Sequence, residues 1–462
     1  MANIELNTKQ LERNLQRFVI FRLFYSARFY YPVLTILFLD YGLTLEQFGI
    51  LNLVWALTIV LAEVPSGALA DIVGRKRLIV FAAILMCIEM ALLVFVPIGS
   101  SAILFPVFVA NRVCSGLSEA AASGADEALA YDSLKALGRE GEWAHLLEKT
   151  TRVVSLGFFV TMITGAFAYD ALVVNGALGA IRETWQLAPS TVIRLPIVLT
   201  LLTSFIVLGT ALRFYDIDKL TANSHSATEK GAAPEINAVR ESFAQILRAG
   251  RWTIGHRFVL FVILAALALD SVARQFVVLA SEYYRNIDIP ISWFGFIGAG
   301  MSLIGILNAK LARLMVSRFS PFHNFVGLSL LLVLSLCGLM LAIPYYGVVF
   351  AVGAFAILGM VQFQASYYIN KEVGSKLRAT VLSFKGLALN LGLGIASLLY
   401  TMLVGVIKVQ RDGMQVEEEL QRYVFLESLK AFPVYYLGLC VGIFLLANWL
   451  LISKKKFFQL PD

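Results

Sequence analysis

The chain has 462 residues, of which 59% are hydrophobic and only 15% are charged. Soluble domains contain about 45–50% apolar and about 25% charged residues, so this composition excludes an ordinary soluble protein. The formal net charge is +7. Because most Lys and Arg residues fall on one predicted side of a membrane, we attribute the positive net charge to the orientation of the chain in the membrane. We therefore expect no nucleic-acid partner.

Apolar runs of about 20 residues recur along the chain, and each is long enough to cross a hydrocarbon core of about 30 Å. Backbone groups in that core must be paired internally, so each run is expected to be a helix. The placement of Lys and Arg predicts that both termini are cytoplasmic. The predicted fold class is all-α and integral to the membrane, with twelve transmembrane helices. The predicted spans are residues 18–40, 46–70, 78–98, 102–132, 153–174, 195–213, 258–281, 291–312, 325–343, 346–369, 379–407 and 431–453.

The loop between the second and third predicted spans has a distinctive pattern, GALADIVGRKR. The residues that form the pattern are Gly67, Asp71, Gly74, Arg75 and Lys76. They resemble the signature loop of the major facilitator superfamily of secondary transporters, although Ile72 stands where that family often has a basic residue. The resemblance implies two six-helix bundles that open alternately to the two sides of the membrane. It also makes these five loop residues gate residues and not substrate ligands.

The fourth predicted span contains three ionisable residues spaced by seven, Arg112, Glu119 and Asp126. Charged residues inside a span cost at least about 2.5–3.5 kcal/mol on insertion scales, so they usually face a cavity or a partner. The spacing predicts that all three lie on one face of a continuous helix. The run RVCSGLSEA (Arg112–Ala120) also resembles the fourth-span pattern of the family, in which the Arg is associated with proton coupling.

The longest predicted cytoplasmic gap is residues 214–257, with six spans before it and six after it. We therefore predict an N-terminal six-helix bundle (1–213), a linker, and a C-terminal six-helix bundle with a short basic tail (258–462). The polar stretch Thr221–Glu235 is typical of a flexible linker. An amphipathic stretch follows, and we expect it to lie on the membrane surface. Its apolar side chains are set against charged ones, namely Phe243, Ile246, Leu247 and Trp252 against Arg240, Glu241, Arg248 and Arg251.

The resemblance further implies that the first, fourth, seventh and tenth spans line a central cavity. The candidate cavity residues are Tyr25, Arg28, Arg112, Glu119, Asp270, Arg274, Gln362 and Ser366. Three Arg residues against two acids favour a substrate with an anionic group, because an Arg fork binds a carboxylate or phosphate well. An alternative for Asp270 and Arg274 is a local pair, since they are i, i+4 neighbours on one helix.

All four His residues fall in predicted cytoplasmic loops or at their edges, so a transported proton is expected on a carboxylate. The proton-coupling candidates, in order, are Glu119, Asp270, Glu63 and Glu89, together with Arg112 and Asp126. For Glu89 two interpretations stay open, a pair with another helix or the proton carrier itself. The four Cys residues lie within apolar runs without paired spacing. We therefore predict no disulfide, no metal site and no cofactor.

The sequence predicts a secondary active transporter that moves a small amphipathic or anionic solute by proton-coupled efflux, as efflux-type members of the family do. The fifth span, Thr151–Asp170, lacks the Gly-Pro motif of drug–proton antiporters, which leaves the direction of transport open. The alternatives are a proton-linked importer, a facilitator, or a non-transporting sensor with the same fold. We expect no enzymatic activity. Small-molecule substrate, protons and lipid are the expected partners of a monomer in a bacterial cytoplasmic (inner) membrane.

Overall fold

The computed structural model describes residues 2–99, 102–216, 235–410 and 417–449, and every regular element in these ranges is helical. Two short 3-10 turns, Tyr31–Val33 and Glu140–Glu142, interrupt the α-helices. The helices are α1 (Ala2–Ser26), α2 (Leu34–Asp40), α3 (Leu45–Val73), α4 (Arg75–Phe95), α5 (Leu104–Ala122), α6 (Ala125–Ala136), α7 (Trp143–Tyr169), α8 (Ala171–Ile181), α9 (Pro189–Val192), α10 (Leu195–Arg213), α11 (Glu235–Gly255), α12 (Arg257–Asn286), α13 (Ile291–Arg318), α14 (Pro321–Met340), α15 (Val348–Glu372), α16 (Ser375–Val409) and α17 (Glu417–Trp449).

Ten helices in the described ranges are long and apolar enough to cross a membrane. They correspond to ten of the predicted spans, so the all-α membrane fold class is confirmed. The two remaining predicted spans, residues 18–40 and 102–132, are each divided into two helices. The count of twelve crossings and the cytoplasmic position of the termini stay predictions.

The first predicted span is broken because α1 ends at Ser26 and α2 begins at Leu34. Pro32 in the intervening turn has no backbone N–H and cannot continue a helical hydrogen-bond ladder. The backbone N–H of Phe29 donates instead to Thr200 Oγ1 of α10 at 3.1 Å. The break therefore holds Arg28 in a turn and not on a helix face.

The fourth predicted span is broken at Gly124, which has a φ of 76°. This left-handed conformation suits glycine and ends α5 at Ala122, before α6 begins at Ala125. The prediction of one continuous helix through this span was therefore wrong. The spacing of seven residues no longer relates a side chain in α5 to one in α6.

The chain divides into two compact units. Unit 1 contains Met1–Pro32 and Thr58–Ala244, and unit 2 contains Val33–Leu57 and Gln245–Asp462. The division thus passes through α3. The three-part division of the chain at residues 213 and 257 stays a prediction.

In unit 1, α4 packs against α5 and α10, and α1 packs against α6, α7 and α10. The core between them is built from large apolar side chains such as Phe18, Phe21, Met86 and Phe214, all of which are buried. Burial of these side chains supplies the main favourable free energy of packing inside the bundle.

The helix after α7 was not predicted: α8 is short and apolar, and its Leu172 is largely exposed.

In unit 2, α12 is the most deeply buried candidate span and packs against α2, α15, α16 and α17. One end of α12 is joined to α2 by Arg285, whose guanidinium contacts Asp40 Oδ1 at 2.6 Å and Glu282 Oε2 at 2.5 Å. The amphipathic helix α11 precedes α12. Its Ala249 is buried, whereas its Leu247 is largely exposed.

Candidate functional site

Unit 1 contains a buried ion pair between two of the predicted site residues. Arg28 Nη1 lies 2.9 Å from Oε1 of Glu89 in α4, and both side chains are almost completely buried. The guanidinium of Arg28 also lies over the ring of Tyr25, 5.4 Å from its centroid, which is a favourable cation–π distance. Glu89 is thus paired with a residue outside its own helix, and its role as a proton carrier stays a prediction. The other oxygen of Glu89, Oε2, has no hydrogen-bond partner among the described residues.

Further hydrogen bonds lie around this pair. Asn111 Nδ2 donates to the Glu89 backbone carbonyl at 2.8 Å, and Arg112 Nε donates to Asn111 Oδ1 at 3.2 Å. The Tyr25 hydroxyl lies 2.9 Å from Ser118 Oγ in α5. Arg28, Glu89, Tyr25, Asn111, Arg112 and Ser118 are called the Arg28 cluster below. It brings together Tyr25, Arg28 and Arg112 of the predicted cavity residues.

Glu119 lies in α5, before the break at Gly124, whereas Asp126 lies in α6, after the break. Asp126 is buried and its Oδ2 contacts Arg22 Nη1 at 3.2 Å, while Glu127 Oε1 contacts Arg22 Nη2 at 3.1 Å. Glu119 is exposed, and its carboxylate makes no hydrogen bond or ion pair with another described residue. The prediction that Arg112, Glu119 and Asp126 share one face was therefore wrong, because α5 ends between the two acids.

The signature loop joins α3 to α4. Gly74 has a φ of 100°, a backbone conformation that favours glycine, and it immediately precedes the first residue of α4. The guanidinium of Arg75 forms an ion pair with Asp132 of α6, and its Nη1 donates to the Ala128 backbone carbonyl at 3.3 Å. Gly67 is exposed, and Lys76 is half-buried. The side chain of Asp71 is outside the described part of the chain, so its role as a gate residue stays a prediction.

Glu63 lies in the same helix as Gly67 and is half-buried. Its backbone carbonyl accepts a hydrogen bond from Ser66 Oγ at 2.8 Å. Its carboxylate oxygen Oε2 is buried without a hydrogen-bond partner among the described residues. Glu63 therefore stays a candidate for proton binding.

Unit 2 contains the second polar cluster, centred on Asp270 of α12. Arg274 Nη2 lies 2.7 Å from the Asp270 carboxylate, so the local i, i+4 pair exists. Gln362 Nε2 of α15 donates to Asp270 Oδ1 at 3.0 Å, and Arg274 Nη1 donates to Asn390 Oδ1 of α16 at 3.1 Å. Asp270 is completely buried. The local pair is thus tied to two neighbouring helices.

Lys385 of α16 completes this second group, the Asp270 cluster. Its Nζ donates to Ser366 Oγ at 2.9 Å and to Gln362 Oε1 at 3.3 Å. Both acceptors are neutral, and Lys385 is 8% exposed. The cluster therefore contains two cations, Arg274 and Lys385, and one carboxylate, Asp270. Four predicted cavity residues, Asp270, Arg274, Gln362 and Ser366, are brought together here.

A model of the Major Facilitator Superfamily matches residues 18–397 of the sequence. The chain belongs to the major facilitator superfamily. The matched region includes the signature loop and both polar clusters, so the expectation drawn from Gly67–Arg77 is confirmed at the level of the family. No curated protein sequence matches the chain significantly.

Several solved structures have the same fold as this chain. The nucleoside transporter NupG has a TM-score of 0.67 at 12% identity, covering 94% of this chain and 99% of that one. A bacterial homologue of the human lysosomal transporter Spinster, inward-facing and unoccupied, has a TM-score of 0.65 at 15% identity, covering 98% of both chains. A D-xylose–proton symporter has a TM-score of 0.59 at 12% identity, covering 94% and 96%. Identities this low show the fold alone.

Several residues of this superfamily member were missed in the sequence. Asp132, the partner of Arg75, is the last residue of the predicted span 102–132, and Arg22 lies near the start of the predicted span 18–40. Asn111 and Asn390 are neutral, so a search for charged residues inside the predicted spans does not find them. Lys385 differs from these residues, because a lysine inside the predicted span 379–407 is visible in the sequence and is typical of a functional site.

No group of three or more metal-ligating side chains occurs among the described residues.

Proposed function

We propose that this superfamily member is a secondary active transporter that moves a small organic solute with an anionic group by alternating access. The proposed energy source is the proton gradient, and the proposed direction is outward. We propose further that it acts as a monomer in a bacterial cytoplasmic membrane. The same fold in transporters of nucleosides and of D-xylose supports a small-molecule substrate.

The observation that supports an anionic group is the position of Lys385. Its ammonium lies inside a candidate span, is nearly buried, and is bonded to two neutral oxygens. The only carboxylate of the Asp270 cluster is already paired with Arg274. A buried cation without its own carboxylate is costly, and an anionic group of a substrate would offset that cost. A carboxylate or phosphate on a small molecule fits this requirement.

The chemistry of the proton step follows from which carboxylates already bind a cation. Glu89 is paired with Arg28, Asp126 with Arg22, and Asp270 with Arg274. Glu119 makes no such pair among the described residues. A carboxyl group that binds and releases protons must not be held permanently in its charged form by a cation. This favours Glu119 as the carrier, and after it Glu63, which also lacks an ion pair among the described residues.

The test is untargeted mass spectrometry of cells and medium, with and without the chain. An anionic compound that rises in the medium and falls in the cells only with the intact chain would support the proposal. Asp71→Asn in the signature loop should abolish the difference, because the family resemblance makes Asp71 a gate residue. The reverse pattern would make the protein an importer. No difference under several growth conditions would favour the sensor and contradict the proposal.

A matched pair of lysine variants tests the anionic group. Lys385→Met keeps the length of the side chain and removes its charge, and it should weaken transport of the identified compound about tenfold or more. The control is Lys408→Met, since Lys408 is partly exposed near the end of α16 and lies 3.8 Å from Glu46. Equal transport by the two variants would contradict the role proposed for Lys385.

A further inference from the structure

Unit 2 contains a pocket that belongs to neither polar cluster. It lies between α12, α16 and α17 and has a volume of about 300 Å³. Its wall includes Val272, Ala396, Tyr400 and Phe432. A pocket of this size is at the lower end of the range for small-molecule sites and about twice the volume of a cavity that accepts benzene.

The pocket is separated from the Asp270 cluster by its position around α12. Val272 and Gln275, which face the pocket, follow Asp270 by two and five residues. At about 100° per residue these positions are rotated by about 200° and about 140° from Asp270. The pocket therefore lies on a different face of α12 from the carboxylate that holds Arg274 and Gln362.

Most of the pocket wall is apolar, and the lining residues with a polar side-chain group are Gln275, Tyr400 and Tyr435. Gln275 is the most deeply buried of the three. Its side chain is 2% exposed, and its Oε1 accepts a hydrogen bond from Ser397 Oγ at 2.7 Å. Its Nε2 is buried and has no hydrogen-bond partner among the described residues. An unpaired buried N–H is costly, so this amide is suited to a ligand that brings a hydrogen-bond acceptor. The hydroxyl of Tyr400 is already bonded to Ser428, at 3.2 Å, so Tyr400 contributes its ring to the wall.

The rim of the pocket lies on the outer surface of two candidate spans. Leu399 of α16 is 42% exposed and Val434 of α17 is 71% exposed. Exposed leucine and valine within a membrane span contact hydrocarbon and not water. A ligand that enters past these side chains must therefore be largely apolar.

We propose that this pocket binds an acyl chain through its carbonyl oxygen, with Gln275 Nε2 as the donor. The apolar wall accepts the hydrocarbon portion, and the amide donates a directional hydrogen bond to the carbonyl oxygen. The chain can belong to a bilayer lipid or to a free acyl ester, which share this chemistry. The proposal does not depend on the substrate or on the direction of transport.

The test uses the full chain, purified in lipid nanodiscs, and two photoreactive probes. One probe is a medium-chain fatty acid methyl ester that contains an alkyl diazirine, and the other is a phosphatidylcholine with the same acyl chain. After irradiation, labelled peptides are mapped by mass spectrometry. We expect label concentrated in residues 396–403 and 431–435. Label from the ester alone would assign a free acyl compound, and label from both probes would assign a bilayer lipid.

Three variants separate binding from general disturbance of the helices. Gln275→Met keeps the length of the side chain and removes the donor, and it should lower the labelling about fivefold. Ala396→Phe fills the pocket and should abolish the labelling. Gln364→Met is the matched control, because Gln364 is an equally buried glutamine of α15 outside the pocket. Thermal unfolding of each variant confirms that it is folded.

One result overturns the proposal. If the label is spread evenly over the exposed residues of α13 and α14 as well, and neither Gln275→Met nor Ala396→Phe changes it, the pocket is an unfilled space between helices and Gln275 has no ligand.

Discussion

At the scale of single residues, the structure separates carboxylates that hold a cation from those that do not. Glu89 and Asp270 are each completely buried against an Arg. Buried ion pairs contribute little net stability, but the loss of one partner leaves an uncompensated charge. Glu119 has no ion pair within the described part of the chain. Stability is therefore expected to depend on the paired acids, and proton coupling on Glu119.

Removal of the Glu89 charge should destabilise unit 1. Glu89→Gln leaves Arg28 buried without a carboxylate, at an expected cost of about 3–5 kcal/mol in the free energy of unfolding. The double variant Arg28→Met with Glu89→Leu should recover most of that loss. Thermal and denaturant unfolding in detergent measure both effects. Arg152→Ala is the control, because its pair with Glu148 is exposed and should be worth under about 1 kcal/mol. A Glu89→Gln variant as stable as this control would show that the pair is unimportant.

Neutralising Glu119 should uncouple transport from the proton gradient. In proteoliposomes, Glu119→Gln should lose flux driven by a pH gradient but retain substrate exchange, because exchange needs no net proton transfer. The double variant with Asp270→Asn tests whether the second-ranked carboxylate replaces the first. Glu148→Gln, an exposed position outside the polar clusters, is the control. Gradient-driven flux that persists in the double variant would remove both residues from the mechanism.

At the scale of elements, two breaks decide where the charged side chains lie. The turn between α1 and α2 places Arg28 beside Glu89, and the break at Gly124 directs Asp126 to Arg22. The first turn is held by close backbone packing. A Cβ atom at Gly165 of α7 would collide with the backbone carbonyl oxygen of Phe29. The absence of a side chain at Gly165 thus permits the approach of α7 to the turn.

Gly165→Ala should therefore disturb the turn that contains Arg28. The added methyl meets backbone atoms, which cannot rotate away, so we expect a loss of about 1–3 kcal/mol or more in the free energy of unfolding. Gly157→Ala is the matched control on the same helix, because its methyl meets only the flexible end of Leu23. The thermal midpoint of each variant gives the comparison. Equal midpoints would contradict the packing role assigned to Gly165.

At the scale of the whole molecule, the prediction left to test is the orientation of the chain. Lys and Arg placement predicts that the segment around Gly141 is cytoplasmic and that the segment around Thr184 is on the opposite side. Both residues are exposed. In a variant without its native cysteines, Thr184→Cys should react with a membrane-impermeant maleimide in intact cells, whereas Gly141→Cys should react only after permeabilisation. The opposite pattern would reverse the predicted topology.

The sequence by itself determined the class of the protein. Long apolar runs require helices because a bilayer offers no hydrogen bonds to the backbone, and Gly67–Arg77 identified the family that the comparison confirmed. The local i, i+4 pair of Asp270 and Arg274 was also predictable, since it depends on helix geometry alone. These are short-range properties, and they can be read from neighbouring residues.

Only the tertiary structure decided which charges meet. Arg28 and Glu89 are 61 residues apart, and Arg22 and Asp126 are 104 apart. Neither spacing nor hydropathy encodes such a pairing, because it depends on where helices end and how they pack. A spacing of seven predicts a shared face only while the helix continues, and the left-handed Gly124 ends that continuity. The partners of the charged residues therefore depend on the breaks in the helices. A hydropathy profile does not detect these breaks, because it averages over windows that are longer than a break.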